Sequence, residues 1–118
     1  MSGGVVEKVK SEVEKFLEDR TQYRGAVIIA DGEYVAVGEA TAEIGRSVLD
    51  TINFIDAVFR KLAAGPPRYF VAEGNDFGVS YGKFGFGKAV VLIYSGLPIG
   101  AAMYDIKSLC RRLSAFLP

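Results

Sequence analysis

The chain has 118 residues, with 14 Lys and Arg against 14 Asp and Glu, and it contains no histidine. This length suits one domain with one core, and residues 1–118 are expected to form a single domain. The balanced charge argues against nucleic acid as a partner, since such binding relies on clustered positive charge. The lack of histidine excludes Ser-His-Asp and Cys-His catalysis and histidine metal sites.

The cysteine count and the apolar content bear on the cellular compartment, on membrane insertion and on contact with other chains. Cys110 is the single cysteine, so there is no internal disulfide, and a reducing cytoplasm is expected. The longest apolar runs, such as Ala89 to Tyr94, are too short to cross a bilayer, so no membrane insertion is expected. Hydrophobic residues make up 50% of a small chain with little interior. Some apolar surface should therefore meet another chain.

The first part of the chain predicts a helix and then a β-hairpin. Apolar residues recur at helical spacing over residues 4–19, with Glu and Lys between them. Two β-rich runs, Arg24–Ala30 and Glu33–Val37, flank Asp31-Gly32. Asp-Gly is a strong hairpin signal because both turn positions tolerate positive φ. The two runs should therefore pair antiparallel.

The middle of the chain predicts a second helix and three further strands. The helix spans residues 45–64 and should end at Gly65-Pro66-Pro67, since proline cannot continue it. Strand three is expected over Arg68–Glu73, and strand four begins at Phe77. Strand five, Ala89–Tyr94, is apolar at every position. Such a strand is covered on both faces, which places it in the middle of the sheet.

Pro98 is a good first-turn residue and introduces the last helix. The apolar seam of this helix consists of Ile99, Met103, Ile106, Cys110, Leu113 and Leu117. Its position on the seam makes Cys110 a core residue. The element order is helix, two strands, helix, three strands, helix. Helices should therefore lie on both faces of an antiparallel sheet.

The segment from Gly78 to Ala89 contains two motifs that mark enzymes in other contexts. Its first five residues fit the G-x-S-x-G elbow of serine hydrolases, but Ser80 lies in an alternating strand and has no histidine partner. Residues 82–88 fit the G-x-x-x-x-G-K phosphate loop. That loop needs Ser or Thr after the lysine and a following helix, whereas Ala89 and a strand follow here. We therefore expect no catalytic residue and no cofactor.

A structural role explains the glycines of this segment better. Gly78, Ser80 and Gly82 share one strand face that has almost no side chains. Such a face admits a close neighbour, which we expect to be a helix backbone. Phe84 and Phe86 are either core residues or an exposed tip, and the prediction favours the core or a subunit contact.

At this point the sequence resembles the roadblock/dynein light chain family. The block RGAVIIADGEYVAVGEA, residues 24–40, has the G-A-apolar run and D-G turn that open the first hairpin there. The Gly-Pro stop, the strand triplet and the final helix are similar too. The resemblance spans Val5 to Leu117. Segment 82–88 is more glycine-rich than is usual in the family, and the longin and profilin folds share much of this layout.

The resemblance implies a fold, an assembly and a function. The fold is α/β, a five-stranded antiparallel sheet of order 2-1-5-4-3 with one helix on one face and two on the other. The assembly is a homodimer that pairs the second helices and the third strands of two chains. Family members are non-enzymatic scaffolds and regulators of Ras-like small GTPases, and some belong to dynein or membrane-signalling complexes.

The second helix supports a dimer independently of the resemblance. Its apolar residues spread over roughly 220° of the helical wheel, whereas a helix on one sheet needs about 100°. The excess centres on Phe54 and Val58 and needs a second partner, unless the helix lies deeper in its own fold. Strand three is an apolar edge, which also needs pairing. The predicted dimer interface consists of Thr51, Phe54, Ile55, Val58, Tyr69, Phe70 and Val71.

Three functions follow from these observations. The first, which the resemblance implies, is a homodimeric scaffold that binds a partner protein, a Ras-like small GTPase. The second is a small-ligand or nucleotide sensor that uses the glycine-rich hairpin 82–88. The third, an enzyme, fits least because histidine is missing. Stabilisation by nucleotides would separate the second from the first, and a Ras-like GTPase encoded beside this chain would favour the first.

Overall fold

Three helices and five strands make up the part of the chain that the computed structural model describes, residues 2–118, with side chains from Gly4 onward. In chain order they are α1 (Ser2–Glu18), β1 (Tyr23–Ala30), β2 (Glu33–Gly38), α2 (Ala42–Lys61), β3 (Tyr69–Glu73), β4 (Gly78–Gly85), β5 (Lys88–Tyr94) and α3 (Ile99–Ser114). The predicted order of elements is confirmed.

The strands form one antiparallel sheet of order β2-β1-β5-β4-β3. β5 lies at its centre, as the apolar run of that strand predicts. Helices α1 and α3 pack on one face, and α2 packs on the other. The predicted fold class and strand order are therefore confirmed.

Alternation of side chains along β1 and β5 divides the core into two layers. Ile28 and Leu92 belong to the layer under α1 and α3, whereas Val27 and Val91 belong to the layer under α2. All four side chains are fully buried. Each contributes about 1.5–3 kcal/mol by leaving water. The two central strands thus stabilise both layers at once.

The first hairpin turns as its sequence predicts. Asp31 and Gly32 have φ angles of 52° and 85°, the pair of positive values that a two-residue hairpin turn requires. The Asp31 amide also donates to the Gly87 carbonyl oxygen at 3.0 Å. Its Oδ1 lies 3.2 Å from Lys88 Nζ. These contacts join the β1–β2 turn to the β4–β5 turn at one end of the sheet.

The second helix departs from the predicted range 45–64 at both ends. It begins at Ala42, because the Thr41 hydroxyl oxygen caps it by accepting a hydrogen bond from the Ile44 amide at 3.3 Å. It ends earlier than predicted, and Ala63 then takes a left-handed conformation with φ of 53°. The Gly-Pro-Pro sequence therefore follows the helix and does not end it.

The bare face of β4 receives side chains and not a helix backbone. A Cβ atom on Gly82 would overlap Cys110 Sγ and lie 2.8 Å from Ile106 Cγ1, both on α3. A Cβ atom on Gly78 would overlap the ring of Tyr94. The predicted close approach is confirmed, but the predicted neighbour is wrong. Large side chains of α3 and β5 reach down into the space that the glycines leave.

The contact at Gly82 generates a prediction about stability. Gly82→Val adds atoms where Cys110 and Ile106 already pack, so it should lower the free energy of unfolding by about 1–3 kcal/mol. Gly100→Val is the control, because a Cβ atom on Gly100 meets nothing within 4 Å. Urea melts measure both. An unchanged midpoint for Gly82→Val would show that this face has room to spare.

Two buried tyrosines form hydrogen bonds from the central strands β1 and β5 to α3 and to the edge strand β3. The Tyr23 hydroxyl donates to Asp105 Oδ2 at 2.8 Å, and the Tyr94 hydroxyl donates to Glu73 Oε1 at 3.1 Å. Burial first, and the hydrogen bond to a carboxylate second, raise the pKa of Tyr94 to about 12. The same causes raise the pKa of Tyr23 above its ordinary value. Both hydroxyls therefore stay protonated in the folded state when they would ionise in the unfolded one.

These shifts predict a loss of stability in alkali. Since folding raises the pKa of Tyr94 from 10.0 to about 12, its stabilisation is complete below pH 10 and declines as pH rises towards 12. Burial also raises the pKa of Cys110, from 9.0 to about 12, so the decline should begin near pH 9. Urea midpoints between pH 8 and pH 12 should fall less steeply for Tyr94→Phe than for the wild type. Tyr104→Phe, at a side chain 71% exposed, should follow the wild type; equal slopes for all three would contradict the assignment.

Candidate protein–protein interface

Helix α2 presents a row of large apolar side chains to solvent. Phe54, Val58 and Leu62 recur every fourth residue and therefore lie on one side of the helix and its C-terminal turn. Their exposed fractions are 78%, 50% and 67%. On the opposite side, Ile52 is 4% exposed and packs into the layer above the sheet. Apolar side chains this exposed on consecutive turns form a contiguous patch of the kind that marks interfaces.

The other predicted interface residues of α2 flank this row. Thr51 is exposed, and its hydroxyl donates to the Ser47 carbonyl oxygen at 3.0 Å, so it has no unmet hydrogen bond. Ile55 is half-buried at the border of the row. Arg60 and Asp56 form an ion pair of 2.9 Å, one helical turn apart. The apolar row is therefore bordered by side chains that are satisfied within their own helix.

The sheet face beneath α2 is only partly covered within one chain. The helix makes its main contacts with β1 and β2. On the same face, Phe70 of β3, Val79 of β4 and Ile93 of β5 remain half-buried. A cleft of about 360 Å³ between α2 and β4, lined by Ile52 and Tyr81 among others, lies where the helix leaves the sheet. Of these half-buried residues only Phe70 belongs to the predicted interface; Val79 and Ile93 lie beside it on the same face.

Strand β3 forms the outer edge of the sheet on that side. It pairs with β4 alone among the described strands, so its other backbone edge is open. Of its predicted interface residues, Tyr69 and Val71 pack towards α3, whereas Phe70 packs towards α2. The three side chains therefore share the edge but not a face. An open apolar edge favours pairing with another strand.

Sequence reasoning missed part of this surface and did not separate the two aromatic residues of the β4–β5 hairpin. Leu62 continues the spacing of Phe54 and Val58, so the signal was present in the apolar arc of the helix. Phe86 is 93% exposed at the β4–β5 turn, whereas Phe84 is 6% exposed and belongs to the core. The prediction that favoured burial therefore applies to Phe84 and not, within one chain, to Phe86.

Neither enzyme-like motif has the structural context that its chemistry requires. Ser80 is fully buried within β4, and its hydroxyl has no hydrogen-bond partner among the described residues. Lys88 opens β5, and its ammonium group lies 3.2 Å from Asp31 Oδ1 and 3.4 Å from the Phe86 carbonyl oxygen. A buried serine cannot reach a substrate, and a lysine held by a carboxylate is not free for phosphate. Between residues 2 and 118 there is no group of three or more His, Cys, Asp or Glu side chains placed to hold a metal ion.

The helices of this described range include none with the length and hydropathy needed to span a membrane. No protein-family profile matches the sequence. No curated protein matches it either. The likeness to known proteins therefore rests on the fold.

The fold is similar to that of three solved structures with a common architecture. MglB from Myxococcus xanthus has a TM-score of 0.78 and 12% identity, covering 92% of this chain and 93% of that one. An MglB with a tetrameric arrangement has a TM-score of 0.78 and 19% identity, covering 93% and 88%. A Roadblock/LC7 domain from Streptomyces avermitilis has a TM-score of 0.73 and 13% identity, covering 90% and 94%. This chain has the roadblock fold. At such identities the likeness concerns architecture, and the resemblance seen in residues 24–40 is confirmed at that level.

Proposed function

We propose that this roadblock-fold protein is a non-enzymatic, cytoplasmic homodimeric scaffold that binds a Ras-like small GTPase. The observation that supports it best is the exposed row Phe54, Val58 and Leu62, beside a sheet face that its own helix leaves half covered. A partner surface of the same shape and chemistry exists on every second copy of the chain. Homodimerisation therefore needs no other component.

A two-fold axis would satisfy the helix row and the open strand together. In such an isologous contact, each α2 packs on the other, and each β3 edge pairs with its copy. The second copy also supplies the missing cover for Phe70 and Ile93. The exposed edge and the exposed row then become parts of one interface.

Free energies of burial and association indicate that the helix row alone does not make a stable dimer. Burying three large apolar side chains per chain contributes roughly 10 kcal/mol for the pair. Association costs about 4–15 kcal/mol in lost translational and rotational freedom. The net from the helices is therefore small, and strand pairing with burial of the Phe70 region decides whether the dimer is stable.

Two observations support a regulatory role over catalysis. The burial of Ser80 and the ion pair of Lys88 with Asp31 count against catalysis by either enzyme-like motif. The residues 24–40 and the layout resemble a family of scaffolds and GTPase regulators. The tetrameric arrangement of one MglB is consistent with self-association in this fold. A dimer of this fold would present two copies of every surface to a GTPase.

Charge placed in the helix row should abolish the dimer. Phe54→Glu or Val58→Glu would bury a carboxylate without a counter-charge, at a cost of several kcal/mol, so monomer or insoluble protein is expected. Size exclusion with light scattering at tens of micromolar measures the mass. The controls are Glu14→Lys on α1 and Tyr104→Glu, which alters a comparably exposed aromatic residue on α3.

Both controls should elute as dimers. A wild-type protein that is monomeric at tens of micromolar would refute the homodimer. Interfaces of roughly 1,200 Å² or more usually have dissociation constants below that concentration. A dimer that survives Phe54→Glu but not Tyr104→Glu would place the interface on α3.

The partner is tested separately with a purified Ras-like GTPase encoded beside this chain. Titration calorimetry should show saturable binding near micromolar Kd, stronger by about tenfold for either the GDP or the GTP-analogue form (about 1.4 kcal/mol). Turnover of GTP with and without this protein then shows whether hydrolysis is accelerated, slowed or unchanged. Intact homodimer that binds neither form at tens of micromolar would refute the GTPase and leave the dimer standing.

A further inference from the structure

A pocket beside the start of β3 gathers positive charge in a chain whose net charge is zero. It has a volume of about 460 Å³, within the range of roughly 300–1,000 Å³ that small-molecule sites occupy. Its charged lining consists of Arg68, Arg111 and Lys83, and Lys83 stands where the pocket meets the cleft under α2. No carboxylate is among the residues that line the pocket. Phe84 and Cys110 form its apolar floor.

These three cations have no counter-ion among the described residues, although their neighbours do. Arg112, next in sequence to Arg111, lies 3.5 Å from Glu12 Oε2. Lys88, in the same hairpin as Lys83, lies 3.2 Å from Asp31 Oδ1. Among the described residues, no carboxylate forms an ion pair with the three pocket cations, so an anion can bind them without breaking one.

A fourth cation extends the positive surface along α3. Lys107 Nζ lies 5.6 Å from the centre of the Tyr69 ring, and Arg68 Cζ lies 5.6 Å from the same centre. The Tyr69 ring, which lines the pocket, therefore has two cations near it. Like charges gathered around one ring repel one another, and an anion that binds near them reduces this repulsion.

Three separate elements hold the pocket in shape. The Lys83 amide donates to the Arg68 carbonyl oxygen at 3.0 Å, which fixes the segment before β3 to β4. Arg111 stands on the last turn of α3, one residue after the buried Cys110. The Arg68 guanidinium is close enough to that thiol to oppose the rise in its pKa that burial causes. The cations therefore project from a packed framework.

The chemistry of the side chains selects the kind of anion. Guanidinium groups bind phosphate oxygens in pairs, and lysine adds a mobile point charge. One phosphate ester carries about 1.5 to 2 negative charges at pH 7, which leaves part of three cations unmatched. Two linked phosphates carry about three, and they span a wider pocket. We propose that this pocket binds a small molecule containing a diphosphate group, held between Arg68, Lys83 and Arg111.

This site differs from the phosphate loop that the sequence motif suggests. The motif lysine, Lys88, is paired with Asp31 and lies outside the pocket. The hairpin contributes Lys83 and the backbone of Gly85 instead. Phosphate recognition here depends on side-chain cations from distant parts of the chain. The pocket shares Tyr69 with the proposed homodimer interface, but its three cations come from one chain, so the proposal requires neither a second copy nor the GTPase.

Calorimetry with sodium pyrophosphate tests the site directly. At about 50 mM salt, one pyrophosphate per chain should bind, at least tenfold more tightly than inorganic phosphate, and affinity should fall as salt rises. Arg68→Gln and Arg111→Gln should each weaken binding at least tenfold. Arg111→Lys keeps the positive charge but loses the guanidinium that binds two phosphate oxygens at once, so a smaller loss of affinity is expected. Arg112→Gln is the matched control, on the same helix but paired with Glu12, and should bind like the wild type.

ADP and GDP identify the source of the diphosphate. Tighter binding of either than of pyrophosphate indicates a nucleotide, and equal or weaker binding indicates the free diphosphate or another ester. Circular dichroism confirms that each variant is folded before titration. The proposal is overturned if pyrophosphate does not saturate by about 5 mM at low salt, where screening is weak, if phosphate binds equally well, or if Arg112→Gln weakens binding as much as Arg111→Gln.

Discussion

This structure depends on one geometric constraint: a five-stranded sheet is wider than the single helix that covers one of its faces. Five strands spaced by about 4.8 Å make a sheet roughly 20 Å across, whereas one helix with its side chains is about 10 Å wide. Two helices, α1 and α3, cover one face. The other face has α2 alone, and α2 lies mainly over β1 and β2. Half of that face is therefore uncovered in a single chain.

The properties of the proposed interface follow from this shortage of cover. Phe70 and Ile93 stay half-buried because no helix of their own chain lies over them. The row at Phe54 stays exposed because α2 needs only its opposite side to contact the sheet. The α2 helix of a second copy would cover the bare part of this face. The exposed rows of the two α2 helices would then bury each other. On the crowded face, by contrast, Gly82 provides the room that α3 needs to pack closely.

The sequence predicts the fold well where local chemistry determines it. Asp31-Gly32 specifies the first hairpin, and the unbroken apolar run of Ala89–Tyr94 specifies the central strand. The start of α2 was placed too late because the apolar pattern begins well after the cap at Thr41. The predicted neighbour of Gly82 is wrong because a strand face without side chains indicates a close contact but does not identify the contacting group.

The candidate sites are predictable in unequal measure. The helix row follows from periodicity alone, and Leu62 extends it at the same spacing. Whether Tyr69 or Phe70 points towards α2 depends on strand register, and the consecutive apolar residues Tyr69, Phe70 and Val71 have no alternation that would reveal it. The cationic pocket was hidden, because Arg68 and Arg111 are far apart in sequence and a net charge of zero conceals a local excess.

Amide hydrogen exchange as a function of protein concentration tests the homodimer most directly, because it locates the contact as well as detecting it. On dilution from tens of micromolar to well below the dissociation constant, exchange should accelerate in Tyr69–Glu73 and around Phe54. Exchange in β1 and β5 should stay constant, since their hydrogen bonds lie within one chain. Exchange in β3 that is fast and independent of concentration would show that its edge has no partner, and would contradict the account.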